Sequence, residues 1–423
     1  MRRRTYLAGM ASMAALGLGS GQAKAAPVTL KMWTFLPITG NDPRTIALRG
    51  IVDSFNAGSS GYKVEVQSIN YGQIDNMVIQ ATAAGQGPDI LNVYTDLLPL
   101  HVSAHTIQPL DARVATMPAA ERNDFVVPLK FMNYGGHVMA LPWECRVWLL
   151  WYRSDLLRKA DLAVPGTLEE MAVAAGKLSA GNVMGFVMGA SSSELGAGAI
   201  ETFTPLLWDA GGDLLDAHGK AIFNSAAGER VLSYLRDLVK KYHGMGANVV
   251  TMNADDALSS IKAGTAAMTI GGSYRVSAAR DSAITRDTLL TAPIPGFVSG
   301  APTPARLASQ TLTIGANTKY ADGAWAFIMH HLSPASQLAF AKAAEMPSRI
   351  SAYKDAYFTT TAQGKEMSAW ADYAHKYGRL EPMPSDFPKL AAGVAEAIQK
   401  VILGTADPKA ALDAAAAAYN AHT

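Results

Sequence analysis

Val28-Thr29-Leu30-Lys31-Met32-Trp33 is a short run of strand-forming residues, and an amphipathic stretch at 44–56 follows it. A second run at 62–69, a second amphipathic stretch at 74–84 and a third run at 89–94 complete the pattern. Short β-rich runs that alternate with stretches carrying apolar residues at three- and four-residue spacing predict strand-helix-strand-helix-strand. That order predicts an α/β sheet with helices on both faces. The helical spacing returns at 154–159, 167–178, 226–242, 321–332, 334–344 and 389–403, and the Ala-rich 410–418 reads as a plain helix. In Pro165-Gly166-Thr167-Leu168-Glu169-Glu170, Thr167 can cap a helix with Glu170 three residues on, as in a capping box. Asn224-Ser225 before Ala226 offers another N-cap. No short-period repeat is present, which excludes solenoids and propellers.

Upstream of the first strand, Arg2, Arg3 and Arg4 precede an uncharged stretch at 7–21 and the small residues Ala23 and Ala25. This is the pattern of a secretory signal. Its apolar part is too short and too rich in Gly and Ser for a membrane span, which needs about 20 strongly apolar residues. Ala23-Lys24-Ala25 places cleavage after Ala25, so 1–25 is expected to be a signal peptide and the mature protein to be periplasmic. Arg3-Arg4-Thr5-Tyr6-Leu7 resembles a twin-arginine signal, and ordinary Sec signals also begin with basic residues, so both export routes fit. No cysteine stands at the cut to carry a lipid anchor. Cys145 is the chain's one cysteine, so no intramolecular disulfide forms, and at this length a core is buried without one.

The chain carries 36 basic and 35 acidic residues. Removal of 1–25 takes away Arg2, Arg3, Arg4 and Lys24 and no acid, leaving 32 basic against 35 acidic residues and a net charge of −3. A slightly acidic surface argues against nucleic acid as a partner. The remaining 398 of 423 residues set an expectation of two or three domains.

Several segments, taken in order, resemble the extracellular solute-binding proteins of bacterial sugar ABC importers, the family that includes maltose-binding protein. They are Leu30-Lys31-Met32-Trp33; Ile51-Val52-Asp53-Ser54-Phe55-Asn56 leading to Tyr62-Lys63-Val64-Glu65-Val66; and Ala83-Ala84-Gly85-Gln86-Gly87-Pro88-Asp89-Ile90. Ala140-Leu141-Pro142-Trp143, Leu150-Trp151-Tyr152-Arg153-Ser154-Asp155-Leu156 and Leu207-Trp208-Asp209-Ala210-Gly211-Gly212 follow. Lys262-Ala263-Gly264-Thr265-Ala266-Ala267-Met268-Thr269-Ile270-Gly271-Gly272, Ala292-Pro293-Ile294-Pro295-Gly296, Ser333-Pro334-Ala335-Ser336-Gln337 and Met346-Pro347-Ser348-Arg349 complete the set. No one motif decides the resemblance; their order and spacing do, nearly end to end.

The resemblance implies an α/β periplasmic-binding-protein type II fold, two lobes of discontinuous segments around a ligand cleft. The expected N-terminal lobe is 26–141 with 271–317, and the C-terminal lobe 142–270 with 318–423. Crossings are expected near 141–144, 270–272 and 316–318. The implied partners are a small carbohydrate and the transmembrane permease subunits of an ABC importer. The protein is expected to be a monomer with no cofactor and no catalytic activity.

Sugar binding needs aromatic faces for C–H surfaces and planar polar side chains for hydroxyl pairs. Trp33 ends the first strand, Trp143 opens a crossing with Glu144 and Arg146 beside it, and Trp208 precedes a Gly-Gly turn. Glu144 and Arg146, two apart on a strand, project to one face. The resemblance adds Tyr274, after the Gly271-Gly272 crossing where the family places a stacking aromatic. It also adds Asp96 by its spacing from Asp89, and likens Glu144 to a crossover glutamate. Gly272 and Arg349 complete the candidate ligand-binding set. Asp89 reads as a turn residue, and Trp148, Trp151, Trp325 and Trp370 as core. Arg146 leaves an acidic or phosphorylated sugar open. Glycerol-phosphate-type and polyamine ligands are alternatives on the same fold.

Catalytic signatures are weak. Two carboxylates among tryptophans also describe a glycoside hydrolase, with Asp96 and Glu144 as the pair. There is no Gly-x-Ser-x-Gly, no phosphate-binding Gly-x-x-x-x-Gly-Lys and no His-Glu-x-x-His. His101 and His105 lack a third ligand, His330 and His331 point to different helix faces, and no metal site is expected.

Overall fold

The computed structural model describes residues 26–58, 61–192, 197–298, 300–381, 384 and 386–421; the signal segment 1–25 and its cleavage point lie outside them. The strands are, in order, β1 (Val28–Thr34), β2 (Tyr62–Ser68), β3 (Ile90–Tyr94), β4 (Asn133–Tyr134), β5 (His137–Val138), β6 (Leu141–Pro142) and β7 (Glu144–Arg153). Then come β8 (Met184–Val187), β9 (Ala266–Gly272), β10 (Leu289–Ala292), β11 (Ala305–Ala308), β12 (Gln310–Ile314), β13 (Met346–Pro347) and β14 (Gly378–Leu380).

One sheet runs β2-β1-β3-β12-β6, and a second runs β14-β11-β7-β9-β8 with β10 and β13 also on β7. β1 pairs in parallel with β2 and β3, and the helices Pro43–Gly58 and Tyr71–Ala83 make the crossovers. The first of these starts on Pro43, whose fixed φ suits a helix's opening turn, and buries Leu48, Ile51, Val52 and Phe55 against the sheet. In the second sheet β8 and β9 are parallel. The helix Leu168–Leu178 opens with the Thr167–Glu170 capping box formed.

β7 is the spine of the second sheet, and all ten of its residues are buried. A strand covered on both faces reads as a continuous apolar run, and Val147 to Tyr152 obey that rule. Glu144, Arg146 and Arg153 break it. Buried charges persist only when paired, so these three mark places where β7 meets specific partners.

The chain passes from the first sheet to the second at Trp143, between β6 and β7. It returns at Ser309, between β11 and β12, and passes over again between the helix Pro334–Lys342 and β13. The division between lobes therefore differs from the sequence reading in two places. Residues 271–308 carry β10 and β11, which pair with β7 in the register Leu289 to Arg153 and Leu307 to Val147, so they belong with the second sheet. The helices Ala321–His331 and Pro334–Lys342 pack on the first sheet, where Phe327, Ile328, Leu332 and Phe340 share a core with Leu30, Leu48 and Leu141. Gly271 and Gly272 are not a crossing: they pair with Leu149 and Trp148. Their lack of a side chain serves ring packing, since an added Cβ would lie 2.8 Å from the Trp151 ring at Gly271 and 2.4 Å from Tyr274 at Gly272.

Among the described residues no helix is long and apolar enough to cross a membrane, and no group of three His, Cys, Asp or Glu could hold a metal. His101 is buried and bonded to Thr106 and Asp75.

Candidate ligand-binding cleft

Ligands of open α/β sheets bind beyond the carboxyl ends of strands, and here the carboxyl ends of both sheets' parallel strands deliver aromatic side chains. Phe35 follows β1, Tyr71 follows β2 and Tyr94 closes β3. Phe35 and Tyr94 stack at 4.8 Å, and Tyr71 meets both edge-on at 5.6 and 5.5 Å. Tyr71 is held by its position at the start of a helix, where the Asn70 side chain accepts the Gly72 N–H at 2.9 Å. From the other sheet, Tyr274 follows β9 and packs edge-on at 6.1 Å against Trp148 of β7.

Arg146 joins the two groups. Its guanidinium lies over the Tyr94 ring at 4.7 Å and over the Tyr274 ring at 4.2 Å. It pairs through Nε with Glu144 Oε1 at 2.5 Å. A guanidinium between two ring faces gains cation–π attraction on both, more so when shielded from water.

Three more arginines follow the same plan of one ring and one carboxylate. Arg306 stacks on Trp148 at 3.9 Å and forks onto Glu381, Nε to Oε1 and Nη2 to Oε2, both at 2.8 Å. Arg379 covers Trp208 at 4.6 Å and donates to Asp213 at 2.8 Å. Arg275 lies 5.4 Å from the Tyr274 ring and pairs with Asp255. Each side chain is pinned, as preorganised recognition requires. Arg306 Nη1 is buried with no partner among the described residues, a donor in reserve.

Two carboxyls stand at the site without an arginine of their own. Asp96 accepts from the Thr95 hydroxyl at 3.1 Å. It is close enough that, after burial, its charge is the next cause raising the Tyr71 phenol, and it helps push Tyr134 up to about 12. Burial raises the Glu201 carboxyl above its usual range against the pull of Arg306. Beside Asp96 a cavity of about 440 Å³ opens between Lys130, Phe131 and Tyr134 on one wall and Asp213, Arg379 and Glu381 on the other.

The structure thus brings Asp96, Arg146, Gly272 and Tyr274 together, with Trp208 behind Arg379 at one end. Glu144 is fully buried: it stands behind Arg146 rather than on the cleft surface. Trp143 is a correction. It is 1% exposed, packs on Phe340 at 4.5 Å and His331 at 5.1 Å, and its indole N–H reaches Asn92 at 3.4 Å. Adjacent strand residues face opposite ways, so with Glu144 turned to Arg146 its neighbour enters the first core. Trp33 is likewise buried, a member of the larger core cluster with Ile69, Leu91 and Val93. Arg349 donates to Asp124 at 3.0 Å and covers Phe125, tying two connecting segments together outside the ring cluster. Asp89 accepts the Lys31 N–H at 2.8 Å and the Thr318 hydroxyl, as a turn residue does. Trp148 is buried at 3% as a core residue, but one ring face carries Arg306.

Gly272 acts by what it lacks. Gly272→Ala sets a methyl 2.4 Å from Tyr274 Cε1, so the ring must leave its place beside Arg146. Loss of one aromatic contact is expected to weaken ligand binding in the cleft by about three- to tenfold, read by calorimetry.

Two α/β layers exchanging strands at three crossings, with rings and pinned ions where their strand ends converge, define a two-lobed solute-capturing protein of the type II periplasmic-binding fold. The model of the family described as bacterial extracellular solute-binding protein matches residues 41–338, and the chain belongs to that family. A probable ABC transporter-binding protein of Deinococcus radiodurans is 29% identical over 161 residues, 36% of this chain and 37% of that relative's length. Among solved structures, the cyclic alpha-maltosyl-1,6-maltose binding protein of Arthrobacter globiformis superposes with a TM-score of 0.79 at 21% identity, over 94% of this chain and 99% of that one. The sugar-binding protein of the phytopathogen Xanthomonas citri gives 0.77 at 20% identity, covering 92% and 95%. The maltose-bound protein of T. maritima gives 0.76 at 22%, covering 94% and 100%. These neighbours share the fold.

Proposed function

We propose that this protein is the periplasmic capture subunit of an ABC importer and that its cargo is an uncharged sugar or sugar derivative. The observation that carries this is the cleft's charge balance: Arg146, Arg275, Arg306 and Arg379 each already hold a carboxylate. A phosphate or sugar acid would have to displace one of these partners and then face Asp96 and Glu201. Hydroxyl groups instead accept from a guanidinium and donate to a carboxylate without breaking either pair, and Tyr71, Tyr134 and Tyr274 supply aromatic surface for C–H groups. The sugars named for the similar structures support this reading.

Capture proceeds by closure. The first sheet offers Tyr71, Tyr94 and Asp96, the second Arg146, Trp148, Tyr274 and Arg306, and a solute touching both sets stabilises the closed form by its differential affinity. Permease subunits in the membrane then recognise the closed shape of the monomer. The mature chain begins at Ala26 after removal of the signal peptide.

A thermal-shift screen of residues 26–423 tests this against neutral mono-, di- and trisaccharides, sugar acids, sugar and glycerol phosphates and polyamines. A neutral saccharide is expected to stabilise the protein by about 2.7 kcal/mol at a hundredfold excess over Kd. Stabilisation only by phosphates or polyamines would overturn the cargo, and recovery of a cleaved saccharide would overturn the non-catalytic role.

A further inference from the structure

Behind Arg146 lies a second ionisable group that the binding reading does not use. Glu345 sits just before β13, at the third crossing, and is 3% exposed. Its Oε1 pairs with Arg44 Nε at 2.7 Å, from the helix that opens on Pro43. Glu144 Oε1 takes Arg146 at 2.5 Å and the Gln310 N–H at 3.2 Å. Each carboxyl thus has one oxygen engaged, and the Oε2 atom of each is buried with no other donor. β13 pairs with β7 in the register Met346 to Cys145 and Pro347 to Glu144, which sets Glu345 beside the Glu144–Arg146 pair, near enough that each carboxyl shifts the titration of the other.

Two ionised carboxylates are acceptors only, and a proton held between them satisfies both buried Oε2 atoms. We propose that Glu345 is a positioning residue for the cleft, its protonated carboxyl donating to Glu144 and so keeping Glu144 aimed at Arg146 between the two tyrosine rings. The charged and titratable groups around the pair are Arg44 from the first-sheet helix, Arg146 and Cys145 on β7 and Tyr94 at the end of β3. They assign the proton to Glu345. Burial, then the Glu144 charge, pushes the Glu345 carboxyl well above the usual range. Burial works the same way on Glu144, but Arg146, the contact with Glu345 and Arg44 outweigh it and hold Glu144 below its usual range.

A link from cleft to crossing follows. Arg146 touches the solute position, Glu144 stands where the chain enters the second sheet, Glu345 where it enters again, and Arg44 on the first lobe's helix. The proposal rests on the capture reading only for the contact of Arg146 with solute, so its test uses the protein without any ligand.

The test reads the Arg146 Nε–H signal by NMR, assigned by its loss in Arg146→Lys, together with urea unfolding at a series of pH values rising from the ordinary carboxylate range. A folded-state pKa raised above its unfolded value adds stability that is complete below the unfolded value and lost as pH rises through the folded one. Wild-type stability is therefore expected to fall as pH climbs through the raised Glu345 value. In Glu345→Gln the amide N–H replaces the shared proton: that fall disappears and exchange of the Arg146 Nε–H stays within about twofold of wild type. In Glu345→Ala exchange is expected to accelerate by about tenfold or more. Equal exchange in all three proteins would overturn the proposal, as would a wild-type pH profile unchanged by Glu345→Gln. A Glu345→Gln protein as disturbed as Glu345→Ala would overturn it too.

Discussion

Alanine in place of Arg306 is expected to destabilise the fold by about 3–5 kcal/mol and to bring saccharide binding below detection. The first effect follows from Glu381, whose side chain is 0% exposed and receives both prongs of the guanidinium. Without them a carboxylate is left buried and uncompensated. The second effect follows from Trp148: the Arg306 guanidinium covers its ring at 3.9 Å and keeps Nη1 as an unused buried donor. Urea unfolding and calorimetry measure the two separately. Arg306→Ala combined with Glu381→Ala removes both charges and is expected to regain much of the stability but none of the binding. Full binding in either variant would place the solute elsewhere.

Trp143→Ala is expected to behave in the opposite sense, losing about 3–5 kcal/mol of stability while binding saccharide within about threefold of wild type wherever it is folded. Its indole fills the space between Phe340 and His331. Its backbone ties, from its N–H to Gln310 and from Gln337 to its carbonyl at 2.9 Å, do not depend on the side chain. Lost binding at unchanged stability would return Trp143 to the cleft.

These two residues also show what could be read in advance. β1, β2 and β3 were legible because their signal is contiguous: β-formers bounded by amphipathic stretches. The family resemblance added the architecture. The crossings were not legible at 271–317, because sheet membership is a property of distant pairing, as between Leu307 and Val147. Gly271-Gly272, expected to be a crossing between lobes, is room for two rings. In the sequence Trp143 reads as a cleft residue and Trp148 as core; alternation marks two faces without saying which is the core, and Trp143, just before a strand buried on both faces, lies in the first core. Tyr71 and Tyr94 were missed although a usable signal existed: both follow the carboxyl ends of expected parallel strands. Arg306 carried no such signal, since its partner Glu381 lies 75 residues away.

β7 also fixes how this protein can change. Glu144, Arg146 and Trp148 alternate with Cys145, Val147 and Leu149, so over 144–149 one face of a single strand carries ions and ring while the other carries only apolar side chains. Deletion of one residue early in the strand would exchange the two faces over that stretch. Cys145 and Val147 would then stand where the ions stood, with Arg146 driven into oil. New solute preferences are therefore accessible by substitution at 146 and 148, or by altered loops beyond β1, β3 and β9, whereas any change in the length of this strand closes the route at once.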